Sequence, residues 1–173
     1  MLRLDYPMAT GLGQKMTNIA NPTFLPRRRL HRAVFICAGF YNILWGLFSA
    51  LDPQWLFQIA GMAPDNHPQI FACLGMVIGL YGILYIEIAR VPENGWLLAF
   101  VGLTGKILGP IGLLVLIWQR VWPPTTLVLC ITNDFIWWIP FGLYLRDAWP
   151  YFKATWVNSR HLLDIQTERR DQG

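Results

Sequence analysis

Between Trp96 and Trp118 the chain runs for 23 residues with a single charge, Lys106, near its centre. About 20 apolar residues cross the hydrocarbon core of a bilayer, so this run predicts a transmembrane helix. Lys106 then sits close to the midplane, where a cation costs roughly 2.5 kcal/mol or more. Such a residue persists only where something nearby compensates for it. The rest of the chain is therefore read for what meets Lys106.

Three further apolar runs occur, and they predict spans over Ala33–Leu51, Ile70–Ala89 and Thr125–Leu145. Composition agrees with a membrane protein. Hydrophobic residues make up 54% of the 173 and charged residues only 14%, against about 25% charged in soluble domains. The nine Trp and six Tyr suit an interfacial belt. The expected fold is all-α, a four-transmembrane-helix bundle over 33–145, preceded by a basic tail over 1–32 and followed by a tail over 146–173. Trp149, Phe152, Trp156 and Leu163 share a face, so the second tail is expected to begin as an interfacial helix. Asp52-Pro53 reads as a helix start, followed by a short surface helix over Gln54–Met62 with Trp55 and Phe57 in the interface.

Charge distribution supplies topology. Of the 14 Lys and Arg, Lys106 is inside a span, twelve fall in the two tails and the loop with Arg90, and only Arg120 falls on the other side. Positive residues concentrate on the cytoplasmic side, so both termini are expected there, in an inner membrane. Arg27, Arg28, Arg29 and Arg32 abut the first span and are expected to contact anionic lipid headgroups. The net charge of +4 follows this topology and is no nucleic-acid signature. No Ala-x-Ala cleavage site follows the basic region, so no cleavable signal peptide is expected.

Cys37, Cys73 and Cys130 all lie in apolar runs, form no Cys-x-x-Cys pair and show no metal spacing with His. They read as small apolar fillers, and no metal is expected. His67 reads as a solvated loop residue. Glu87 and Arg90, three apart, read as an interfacial ion pair.

The strongly polar residues at mid-depth are Asn42, Lys106 and Asp134, with Asn133 beside the last. They come from three spans, and Lys106 with Asp134 is expected to form a buried ion pair. Pro110 removes the hydrogen bond to the carbonyl four residues earlier, that of Lys106, and Pro140 does the same to Ile136. Both helices are expected to kink there. Trp137, Trp138 and Phe141 follow near the face of Asp134 as an aromatic wall. Glycine stripes mark close helix approach: Gly39 and Gly46 with Asn42; Gly75, Gly79 and Gly82; and Gly102, Gly105, Gly109 and Gly112.

Two interpretations of the polar centre stay open. One is a structural ion pair that specifies which helices meet. The other is a ligand site for a small or lipid-soluble molecule or a proton, made of Lys106, Asp134, Asn133, Asn42, Trp137 and Trp138. A non-catalytic subunit assembling through glycine faces, with a membrane partner or as a homo-oligomer, is the alternative, and an enzyme on a lipid-soluble substrate is a third. The sequence leaves the cofactor unknown.

The blocks Tyr41-Asn-Ile-Leu-Trp-Gly46, Gly75-Met-Val-Ile-Gly-Leu-Tyr-Gly82, Gly105-Lys-Ile-Leu-Gly-Pro-Ile-Gly112 and Asn133-Asp-Phe-Ile-Trp-Trp-Ile-Pro-Phe141 resemble a family of small bacterial four-span proteins. The resemblance covers Arg32 to Asp147, and in size and layout it is similar to the DoxX-like four-helix membrane proteins. It implies the four-span fold. Members of the family sometimes carry the name alkyl hydroperoxide reductase. That chemistry uses an activated Cys on a soluble thioredoxin-like fold, and the residues here do not supply it.

Overall fold

A run of about 20 apolar residues in lipid must satisfy its backbone internally, and a helix does so. The computed structural model describes residues 25–171, with side chains as far as Val157 and at Ser159. The expectations for the chain before Leu25 and for the side chain of Leu163 lie outside the described residues. Among these residues all regular structure is helical: α1 (Arg28–Leu51), α2 (Trp55–Ile59), α3 (Pro68–Arg90), α4 (Trp96–Trp118), α5 (Leu127–Cys130) and α6 (Ile136–Asp171). A short 3-10 turn (Pro124–Thr126) precedes α5, and a π-helical turn (Ile131–Phe135) joins α5 to α6. Four segments, α1, α3, α4 and Pro124–Val157, are long and apolar enough to cross a membrane. The protein is an all-α bundle with the architecture of a multi-pass membrane protein. Its outer faces are apolar, with Leu44, Leu80, Leu108 and Ile139 exposed where lipid would lie.

Glycine sets the tightest contact, between α1 and α3. A Cβ added at Gly82 would meet the backbone oxygen of Gly39 at 2.5 Å, and one at Gly46 would meet Gly79 N at 2.6 Å. Buried positions on α1 run Phe35, Ala38, Asn42 and Ser49, a seam with the 3.5-residue period of coiled-coil packing. The expected Gly75/Gly79 pair needs refinement. Gly75 and Gly82 are crowded, whereas a Cβ at Gly79 has 3.8 Å to its nearest neighbour.

The bundle is closed at the end where α1 begins. There Phe35, Tyr85, Ile88, Ala99, Phe141 and Tyr144 are buried together. Phe35 meets Phe141 and Tyr144 with ring centroids 4.6 Å and 4.7 Å apart, a separation typical of favourable aromatic pairs. Ion pairs clamp this end, Arg27 to Asp147 and Arg28 to Glu93, and the His31 ring, 1% exposed, hydrogen-bonds with Asp147 Oδ2 at 2.8 Å. Arg32 donates to the Ala89 carbonyl at 3.0 Å. Three of the four arginines expected at headgroups thus hold protein partners, and the first helix begins inside their cluster. The Glu87–Arg90 pair forms as expected, at 2.7 Å.

Two expectations for the connections change. Asp52 does not open the short helix; it accepts from the Gln54 N–H at 3.3 Å, and α2 is only five residues long. Trp55 is buried, donating to Ser49 Oγ at 3.0 Å between Trp45 and Phe48. The loop aromatic therefore has a polar partner inside the bundle and need not seek the interface. The segment after residue 145 is no separate surface helix. It continues α6 through Pro140 and Pro150 to Asp171, with Phe152 stacked on Trp96 at 4.4 Å.

Candidate functional site

Between α5 and α6 the fourth apolar segment departs from α-helix. The π turn covers Ile131-Thr-Asn-Asp-Phe135, the segment that carries the polar residues. A π turn leaves backbone carbonyls without ordinary helical partners, and such turns occur often at functional sites. Here side chains take up the freed groups. Trp137 Nε1 donates to Thr132 O at 3.1 Å, and Lys106 Nζ donates to Asn133 O at 2.6 Å. Composition did not signal this turn.

The expected direct ion pair does not form. Lys106 and Asp134 are each 6% exposed, yet no Lys106–Asp134 contact lies within ion-pair distance among the described residues. The ammonium goes to the Asn133 carbonyl, which the π turn has turned outward, and lies 5.9 Å from the Trp137 ring centroid. Asp134 Oδ1 accepts from Asn133 Nδ2 at 3.1 Å. The Cys130 thiol sits against the same carboxyl group, a contact the filler interpretation of the cysteines missed. The two charged groups stay close enough to interact through space without touching.

Pro110 acts as its covalent geometry requires. It lies inside α4, and the carbonyl of Lys106 accepts from Trp138 Nε1 at 3.1 Å. One residue thus links α4 to the fourth span twice, donating through Nζ and accepting through its backbone. This places Trp138 in a cross-link, at the lipid-facing side, and not in an aromatic wall.

Beside these residues lies a cavity of about 350 Å³, lined by Asn42, Tyr85, Lys106, Gly109, Asn133 and Asp134 among others. Its apolar wall is formed by Tyr81, Tyr85 and Val101, while Trp137, Trp138 and Phe141 do not line it. Tyr85 was not anticipated. Its hydroxyl end occupies the space that a side chain at Gly102 would fill. The Asn42 and Asn133 side-chain oxygens are buried without any hydrogen-bond partner, and Asn42 is 4% exposed. A second cavity of about 330 Å³ shares Leu74, Gly109, Asn133 and Asp134 with the first and runs on toward Trp45 and Trp122. The volumes are those of small-molecule sites. The cleft exists because α3 and α4 meet little, and Gly105 and Gly112 on α4 have nothing near them.

A smaller cavity, about 290 Å³, lies at the turn between α3 and α4 beside Glu87 and Arg90. The charges there are already paired.

Compared with known proteins, the chain matches no family model, no curated sequence and no solved structure.

Proposed function

We propose that this is a multi-pass protein of a bacterial inner membrane, with both termini cytoplasmic, that binds a small lipid-soluble ligand in the mid-depth cleft. One observation carries the proposal: the cleft holds two buried amide oxygens that nothing among the described residues satisfies, beside a cation and a carboxylate that do not touch. An unsatisfied buried polar atom costs about 1–3 kcal/mol, so an empty site of this kind is unfavourable. Polar residues at membrane depth mark substrate or ion sites by default. In this reading Lys106, Asp134, Asn133 and Asn42 orient the polar end of the ligand, and Tyr85 limits how deep it goes.

The orientation rests on the twelve-to-one distribution of basic residues. Arg29, on the same turn as the paired arginines, is exposed and suits anionic headgroups. The proposed kinship with small four-span bacterial proteins of DoxX-like layout rests on the four sequence blocks alone. Assembly with a membrane partner is the second reading. The glycines of α1 and α3 are consumed against each other, so a partner would have to use Gly105 and Gly112 of α4.

Mass spectrometry of small molecules that co-purify in mild detergent tests the first reading. The wild type should carry a molecule that Lys106→Met loses while still folding. If no molecule co-purifies and the substitution changes only stability, the polar centre is structural and the proposal falls.

A further inference from the structure

Chemistry at the cleft narrows the ligand class. The reasoning rests on the cleft being a ligand site, as proposed above.

Charge comes first. Lys106 and Asp134 sum to zero when both are charged. A neutral headgroup keeps that balance without any change in proton count, whereas an ionic one adds a charge where charge is unfavourable. A neutral ligand fits the site best.

Hydrogen bonding comes second. Asn133 Nδ2 is committed to the Asp134 carboxylate at 3.1 Å, which fixes the amide orientation and leaves its Oδ1 as an unpaired acceptor. Asn42 makes no hydrogen bond in the protein, and its Oδ1 is buried beside the same cavity. Lys106 Nζ carries three N–H donors and gives one to Asn133 O. The site thus offers unpaired acceptors together with spare ammonium donors. A ketone or ester accepts only, and would leave both amide oxygens unpaired. A hydroxyl donates to an amide oxygen and accepts from the ammonium at once.

Shape comes third. The first cavity is bordered by the exposed Leu74, Val77 and Val101, so it opens sideways to lipid. Gly109 also borders the second cavity, which Phe71, Leu113 and Leu129 line with apolar surface.

We propose that the ligand is a neutral amphiphile with a hydroxyl head, entering sideways between α3 and α4. Its hydroxyl donates to Asn42 and accepts from Lys106, and its chain lies past Gly109 in the second cavity.

Photo-crosslinking in proteoliposomes tests this with three diazirine probes of one chain length: hexadecanol, palmitic acid and methyl palmitate. The hexadecanol probe should label α3 or α4 peptides at the cleft, and unlabelled hexadecanol should compete. Asn42→Leu removes a group that has no partner in the protein, so the variant should fold at least as well as wild type. Labelling should nevertheless fall about tenfold, the loss of one good hydrogen bond. Gly109→Leu supplies an independent block. Its Cβ would approach nothing closer than the Asp134 oxygens at 4.0 Å, and its side chain would plug the passage between the cavities and reduce labelling likewise. Cleft labelling by the acid or the methyl ester as strong as by the alcohol overturns this inference and leaves the ligand site standing. Hexadecanol labelling indifferent to both variants also overturns it. If no probe labels the cleft and no molecule co-purifies, the ligand-site reading itself fails.

Discussion

Gly46→Ala and Gly79→Ala should shift stability in opposite directions, although both glycines lie on the α1–α3 contact. A Cβ at Gly46 would sit 2.6 Å from Gly79 N and 2.7 Å from Gly79 Cα. Favourable carbon contacts lie at about 3.5–4.0 Å, so the two helices must part by about 1 Å. The obstacle is backbone, which has no rotamer to swing away. Overpacking costs about 1–3 kcal/mol, and three backbone atoms, the Gly75 carbonyl oxygen among them, place this case near the upper end. Ala in place of Gly gives back about 1 kcal/mol of helix propensity, for a net loss of about 2 kcal/mol. At Gly79 the added Cβ has 3.8 Å to Gly46 Cα, so the propensity gain stands alone, at about 0.5–1 kcal/mol. Reversible unfolding by sodium dodecyl sulfate in mixed micelles, read by tryptophan fluorescence, measures both. Equal shifts, or a Gly46→Ala protein as stable as wild type, would refute the close-approach argument.

Trp138→Phe strips the donor from the Lys106 carbonyl and should cost about 1–3 kcal/mol; in a Pro110→Ala background the restored helical N–H takes over, so the same substitution should cost clearly less. Asp147→Ala leaves the buried His31 ring and the Arg27 guanidinium without their shared acceptor, and unfolding should show a loss of about 1–3 kcal/mol. Partial burial pushes the Glu93 carboxyl up, but the hydrogen bond from Arg28, a backbone hydrogen bond and the nearby arginines outweigh it and hold the group below its ordinary value. A lowered carboxyl contributes stability that is full above its unfolded value and is lost as pH falls through the folded value. Stability should therefore drop on acidification below the usual glutamate range, by about 0.5 kcal/mol for so exposed a pair, and Arg28→Gln should remove that component of the pH profile.

The four spans and the freed Lys106 carbonyl were legible in the chain because both follow from local causes. An apolar run of span length needs a helix for its own backbone, and Pro110 lacks an N–H whatever surrounds it. That Asn42, Lys106 and Asp134 lie at one level of the bundle was legible for the same reason, since position in a span is counted along the chain. Which groups touch was not, because that depends on helix rotation and on the π turn. The turn presents Asn133 O to the ammonium, so Lys106 binds a carbonyl where charge alone suggested Asp134. Packing likewise decided that Trp138 answers the Lys106 carbonyl, that Trp55 turns inward to Ser49, and that the glycines of α1 and α3 consume each other while those of α4 border open space. The cleft itself belongs wholly to the tertiary structure: it is the gap left where α3 and α4 meet little, and no residue states it alone.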